Sequence, residues 1–112
     1  MQIEVSGDQG TVLVAVSGRI DAYTAMEVEQ RIGEALVGDR NLILDLAGTS
    51  YISSAGLRVL IALAKRSRGS SFRMVLCCLQ PDVQDVMEIA GFTQLFDIAA
   101  SREAAAAVLQ AG

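Results

Sequence analysis

A chain of 112 residues, 52% of them hydrophobic, is large enough to close one apolar core without staples and too small for two, so one domain over residues 1–112 is expected. Its formal net charge of −4 and pI near 4.6 exclude a nucleic-acid backbone as the expected partner, because that affinity rests on clustered Lys and Arg. No charged leader with an apolar run opens at Met1, and no stretch reaches the roughly 18 apolar residues of a membrane span, so a cytoplasmic protein without membrane insertion is expected.

Ile3 and Val5, then Val12, Val14 and Val16, place β-branched residues in alternation on either side of Gly7-Asp8-Gln9-Gly10, a turn-rich tetrad, and predict an antiparallel hairpin. Gly18 ends the second strand in this reading. Arg19-Ile20-Asp21 leads into a helix in which Thr24 and Glu27 match a capping box, Glu27 and Arg31 make an i, i+4 pair, and Ala25, Val28, Ile32 and Ala35/Leu36 supply the core stripe. Gly38 closes that helix. Asp21 reads as a loop or pre-cap residue that holds the backbone around Tyr23.

Residues 41–68 carry the chemistry. Leu42, Ile43, Leu44 and Leu46 form a short apolar run, the signature of a strand covered on both faces, as in a parallel sheet flanked by helices. Asp45 interrupts the run, and a lone charge there needs a partner or a hydrogen-bonded loop; it is expected to brace the Ser53-Ser54 turn. Gly48, Thr49, Ser50 and Tyr51 read as a short polar loop. Beyond it Leu57, Leu60, Ile61 and Ala64 fall at i, i+3, i+4 and i+7, a helical stripe, which puts Ser53 and Ser54 at a helix N-terminus. A serine there either caps a free N–H, contributing roughly 1 kcal/mol, or carries a phosphate that meets the positive end of the helix dipole. Gly56, a poor helix former, fits a place where something approaches the backbone closely.

Lys65, Arg66 and Arg68 crowd the last turn of this helix, at the negative end of its dipole. Gly69-Ser70-Ser71 is a loop, and residues 72–79 read as a second buried strand, apolar except for Arg73. Within it Cys77 and Cys78 are the only cysteines. Neighbouring Cα atoms about 3.8 Å apart make a bridge between them strained, so they are expected to pack as small apolar residues on opposite strand faces. With no His and no Cys-x-x-Cys, no zinc site is expected. Pro81 opens a helix with a Val83, Val86, Met87 and Ala90 stripe and Gly91 as its stop. Residues 92–98 give a turn and an edge strand, and a last helix spans 102–110, with Val108 and Leu109 docking on the core. The order β-β-α-β-α-β-α-β-α implies an α/β fold: a mixed sheet with an N-terminal hairpin and helices packed against it. Ser53 and Ser54 then lie at the carboxyl end of a central strand, a usual place for a site in such sheets.

At Tyr51-Ile52-Ser53-Ser54-Ala55-Gly56-Leu57-Arg58-Val59-Leu60 the chain resembles the signature of STAS domains, in particular bacterial anti-sigma-factor antagonists. Val14 to Ala25, VAVSGRIDAYTA, resembles the family's strand, glycine and aspartate segment, and Leu42 to Leu46 its strand before the signature. The common family form places Asp-Ser-Ser-Gly or Asp-Ser-Thr-Gly here, with the phospho-acceptor just before the glycine. Ala55 holds that position in this chain and Ser53 that of the Asp. In the Ser-Ser-Ala-Gly form the second serine is the usual acceptor, so the resemblance implies phosphorylation of Ser54, with Ser53 as second choice.

The resemblance implies a STAS fold and a partner-switching protein. Unphosphorylated, it would bind an anti-sigma factor that is also a serine kinase and release that factor's client; phosphate on Ser54 would reverse this, and a serine phosphatase would reset it. Asp21, Tyr23, Ser53, Ser54, Ala55, Gly56 and Arg58 are the implied partner-binding residues, with Asp21 beside the acceptor loop. No cofactor belongs to the chain in this scheme, since ATP and Mg2+ come with the kinase. Without His as a general base, and without a nucleophile elbow around Ser54, an enzyme is not expected. The alternative is a constitutive STAS interaction subunit of a transporter or signalling scaffold. A monomer is expected, because no long exposed apolar patch shows in the pattern.

Overall fold

The β-branched alternation at the N-terminus produces the expected hairpin: β1 (Gln2–Gly7) and β2 (Thr11–Ile20) pair antiparallel, with Ile3 opposite Val16 and Val5 opposite Val14. The computed structural model describes residues 1–8, 10–36, 38 and 40–111, so Gln9 of the predicted turn lies outside the described residues. β3 (Asn41–Ile52), β4 (Met74–Cys77) and β5 (Asp97–Ala99) follow, and the sheet order is β1-β2-β3-β4-β5, parallel from β2 onward. Between them run α1 (Ala22–Ala35), α2 (Ser54–Arg68), α3 (Pro81–Ile89) and α4 (Arg102–Gln110), with a short 3-10 turn at Thr93–Leu95.

Strand period 2 sorts the core onto two faces. Val12, Val14, Val16, Leu42, Leu44, Leu46, Met74 and Leu76 face the stripes of α1, α2 and α3. Ile43, Val75, Cys77 and Ala99 form a smaller cluster on the other face, closed by Ala105 of α4, with Val108 and Leu109 at its edge. Arg73 donates to the Val108 carbonyl at 3.1 Å and lies 3.8 Å from Asp97, tying the end of α4 to the sheet edge.

Several expected boundaries move, each for a local reason. The polar residues 48–51 are not a loop but the second half of β3. Thr49, fully buried, donates its hydroxyl to the Val16 carbonyl at 2.8 Å, and β2 keeps pairing past Gly18 through two register shifts to Ile20 opposite Ile52. Gly18, at φ +104°, therefore lies inside β2 beside a register shift in which β3 carries the extra residue, and is not the end of the strand.

α1 starts at Ala22, capped by Asp21, and its capping box is Asp21 with Thr24 instead of Thr24 with Glu27. Among the described residues Arg31 reaches the Ile3 carbonyl at 3.5 Å and forms no ion pair with Glu27. The helix ends at Ala35, with Gly38 two residues past its cap. β4 is shorter than residues 72–79 because Cys78 turns into the left-handed region at φ 62°. On α3 only Val83 and Met87 are buried, while Val86 and Ala90 stay exposed.

Candidate functional site

β2 and β3 end in register at Ile20 and Ile52, and each runs at once into a helix, so the N-termini of α1 and α2 start from the same edge of the sheet. The Ser53 N–H donates to the Ile20 carbonyl at 2.8 Å, which joins the two turns. Beside them the Arg19 guanidinium lies over the Tyr51 ring, 4.2 Å from its centroid. The structure therefore brings together the expected site residues Asp21 and Tyr23 from one turn with Ser53, Ser54, Ala55, Gly56 and Arg58 from the other.

The two serines have different work. Ser53 is the N-cap of α2: extended at φ −89° and ψ 175°, its Oγ accepts the Gly56 N–H at 3.2 Å and its carbonyl accepts the Leu57 N–H at 2.9 Å. Ser54 is the first helical residue and is exposed; its hydroxyl has no partner among the described residues. The N–H groups of Ser54 and Ala55 are also without a partner there, and no acidic residue stands in the first turn. An exposed hydroxyl, two free N–H donors and the positive dipole end thus share one helix start.

Gly56 is needed for a reason nearer than a ligand. A Cβ on it would lie 2.7 Å from Ile52 Cγ1, 2.8 Å from Ile20 Cγ2 and 2.9 Å from the Ile20 carbonyl oxygen. What approaches this backbone is the chain's own β2 and β3, so the glycine lets α2 sit directly on the strand ends.

Asp21 caps α1, accepting the Tyr23 N–H at 3.0 Å and the Thr24 N–H at 3.1 Å, while Thr24 Oγ1 accepts the Asp21 N–H at 2.8 Å and donates to the Arg19 carbonyl at 2.7 Å. These donors, Thr24 N–H first, hold the Asp21 carboxyl below its ordinary value. The expected brace of the Tyr23 backbone is what the structure contains. Tyr23 is 89% exposed and Met26, one turn on, 75%.

Sequence reasoning missed Met26, which falls off the α1 core stripe, and a shallow groove of about 300 Å³ where Ser54, Leu57, Arg58 and Ile61 of α2 meet Ala90 and Phe92. An apolar residue outside a helix stripe was the available signal for Met26. The groove, between elements about thirty residues apart in sequence, had none.

Asp45 does not brace the serine turn. It points to the α4 face, where Oδ1 accepts the Ala47 N–H at 2.8 Å and Oδ2 accepts a hydrogen bond from Arg102 Nε, so its charge is balanced across the sheet from α4. Cys77, opposite Asp45 in the β3–β4 register, is buried, and burial followed by its neighbour Cys78 pushes its thiol up to about 12. The two cysteines do not lie on opposite faces. The positive φ of Cys78, a conformation costing a non-glycine residue about 1–2 kcal/mol, returns its sulfur to the side of Cys77, and one donor atom each from Asp45, Cys77 and Cys78 lies within 4.8 Å of the others.

Comparison with known proteins agrees with this geometry. The model of the STAS domain family matches residues 2–105. A protein of Bordetella bronchiseptica named BtrV and described as an anti-sigma factor antagonist is 38% identical over 111 residues, 98% of this chain and 96% of the relative. The anti-sigma-B factor antagonist of Listeria monocytogenes is 30% identical over 92 residues, 81% of each chain. Among solved structures, an anti-sigma factor antagonist from Mycobacterium paratuberculosis superposes with a TM-score of 0.82 at 25% identity, covering 97% of this chain and 93% of that one.

Proposed function

This chain belongs to the STAS domain family, and from that premise we propose that it acts as an anti-sigma-factor antagonist whose hold on its partner is switched by phosphate on Ser54. The observation that carries the choice of residue is the division of labour at the start of α2: Ser53 is spent on capping, and Ser54 presents a free hydroxyl. In the unphosphorylated state the strand-end surface, with Tyr23, Met26, the first turn of α2 and Arg58, docks on an anti-sigma factor that is also a serine kinase, and the client of that factor is released. The partner then transfers a phosphoryl group: Ser54 Oγ bonds to the γ-phosphorus of ATP, the bond to the bridging oxygen breaks, ADP leaves and the hydroxyl proton passes to a base of the kinase. ATP and Mg2+ belong to the kinase, and a serine phosphatase resets the module.

The added group brings close to two negative charges. In a partner site already holding acidic groups or nucleotide phosphates, a penalty of about 3 kcal/mol weakens the complex more than a hundredfold. The chain is a substrate in this scheme and not a catalyst: an activated nucleophile needs a base within hydrogen-bond reach, and among the described residues nothing contacts Ser54 Oγ. We place it in the cytoplasm as a monomer; no helix among the described residues is long and apolar enough to cross a membrane.

Incubation with the cognate kinase and ATP, followed by site-mapping mass spectrometry, tests the proposal. Phosphate is expected on Ser54 in the native chain and in Ser53→Ala, and none in Ser54→Ala, which keeps its affinity for the kinase. Phosphate on Ser53 alone, or on neither serine, refutes the assignment.

A further inference from the structure

We propose that Asp45, Cys77 and Cys78 form a binding site for a thiophilic divalent cation of the zinc class, with Arg102 as the charge that balances it. The donor atoms of these three residues already lie within 4.8 Å of one another, on the sheet face covered by α4. Zinc holds sulfur at about 2.3 Å and carboxylate oxygen at about 2.1 Å, which keeps its donors within about 4 Å, so a small side-chain rotation closes the cluster on an ion.

The arrangement is specific in its backbone. In a regular strand, successive side chains point to opposite faces, and Cys78 would face away from Cys77. It does not, because Cys78 is the one non-glycine with a positive φ among the described residues. A glycine or asparagine suits that backbone better, and what cysteine adds is a second sulfur next to the first.

The charges and the surrounding hydrogen bonds also fit. Two thiolates and a carboxylate carry one negative charge more than a divalent ion neutralises, and the Arg102 guanidinium on Asp45 Oδ2 supplies the missing positive charge. Asp45 Oδ1 is oriented by the Ala47 N–H, and each carboxylate oxygen keeps a lone pair for a metal. Ligating carboxylates held in this way are what tuned metal sites contain. Cys78 also lines a surface cavity of about 360 Å³ with Leu79, Gln84 and Ile98, so one of the three donor residues borders the surface. This site is independent of the reading of Ser54.

The test is titration of the reduced, metal-stripped chain with Zn2+ in competition with a chromophoric chelator, and with Cd2+ followed by thiolate-to-metal ultraviolet absorption. One ion per chain is expected, with a dissociation constant of about 1 μM or tighter, and a cadmium–thiolate band. Cys78→Gly relieves the left-handed backbone, so it folds, checked by circular dichroism, yet is expected to bind at least about a hundredfold more weakly, as is Cys77→Ala. A native chain that fails to compete for one equivalent, a Cys78→Gly chain that binds as tightly as the native one, or cadmium bound without the thiolate band would each overturn the site.

Discussion

Gly56→Ala tests whether the start of α2 is held by close packing on the strand ends. Alanine is the better helix former, by about 1 kcal/mol, so on propensity alone the substitution stabilises. The structure reverses the sign. The new Cβ meets Ile52 Cγ1 at 2.7 Å, Ile20 Cγ2 at 2.8 Å and the Ile20 carbonyl oxygen at 2.9 Å, and of these only the isoleucine methylene and methyl can move. Overpacking of this kind costs about 1–3 kcal/mol, and contact with a sheet carbonyl belongs in the upper half of that range. A net loss of about 1–2 kcal/mol remains, seen as a lower urea midpoint at unchanged m-value and a melting temperature reduced by about 4–8 °C per kcal/mol. Gly33→Ala is the control: Gly33 is exposed in α1 with nothing within 4 Å of a Cβ, so the same substitution is expected to stabilise by up to about 1 kcal/mol. A Gly56→Ala chain as stable as Gly33→Ala would refute the packing argument and leave Gly56 free for contact with a partner.

The two serines should separate in stability as well as in phosphorylation: Ser53→Ala is expected to lose about 1 kcal/mol as a cap, while Ser54→Ala stays within about 0.5 kcal/mol of native in urea melts, as an exposed residue without a contact. Thr49→Val is nearly isosteric yet leaves the Val16 carbonyl without its donor in a fully buried place, so a loss of about 1–3 kcal/mol is expected in the same assay. Asp21 has its carboxyl held below the ordinary 3.8 by backbone donors, so its contribution is present above that pH and is lost as pH falls through the lowered value; Asp21→Asn should narrow the gap to native only in that acid window. An acid melt of Asp21→Asn parallel to the native one at every pH would refute the assignment of the cap charge.

The long apolar elements were legible because burial on both faces leaves a period that any reader of the sequence meets: residues 42–46, the α2 stripe and the Pro81 start all stand where expected. What was not legible depended on partners distant in sequence. Residues 48–51 look like a loop because polarity is read locally, while their strand pairing is supplied by β2 and by Thr49 reaching Val16. Asp21-x-x-Thr24 and Thr24-x-x-Glu27 offer capping boxes at the same spacing, and only the continuation of β2 to Ile20 selects the first. Asp45 could be recognised as needing a partner, but Arg102 lies 57 positions away. Both site serines were visible from the helix period. Their division into cap and free hydroxyl required the extended backbone of Ser53.

That division bears on where a phosphate would act. Had the acceptor been the cap, modification would have replaced the hydrogen bond to Gly56 and altered the helix that presents it. At Ser54 the free N–H groups of Ser54 and Ala55 and the dipole of α2 can accommodate the new charge, and no carboxylate stands in the first turn to oppose it. A phosphate there is therefore neutral or favourable for the domain and unfavourable only against an acidic or nucleotide-bearing partner. On the proposed reading, the switch would work by changing what the surface repels while the fold stays as it is. Phosphorylated and unphosphorylated chains should accordingly unfold at the same urea concentration or the phosphorylated one slightly higher, even as their affinities for the kinase differ more than a hundredfold. A phosphorylated chain that unfolds markedly earlier would place the switch in the domain's own stability instead.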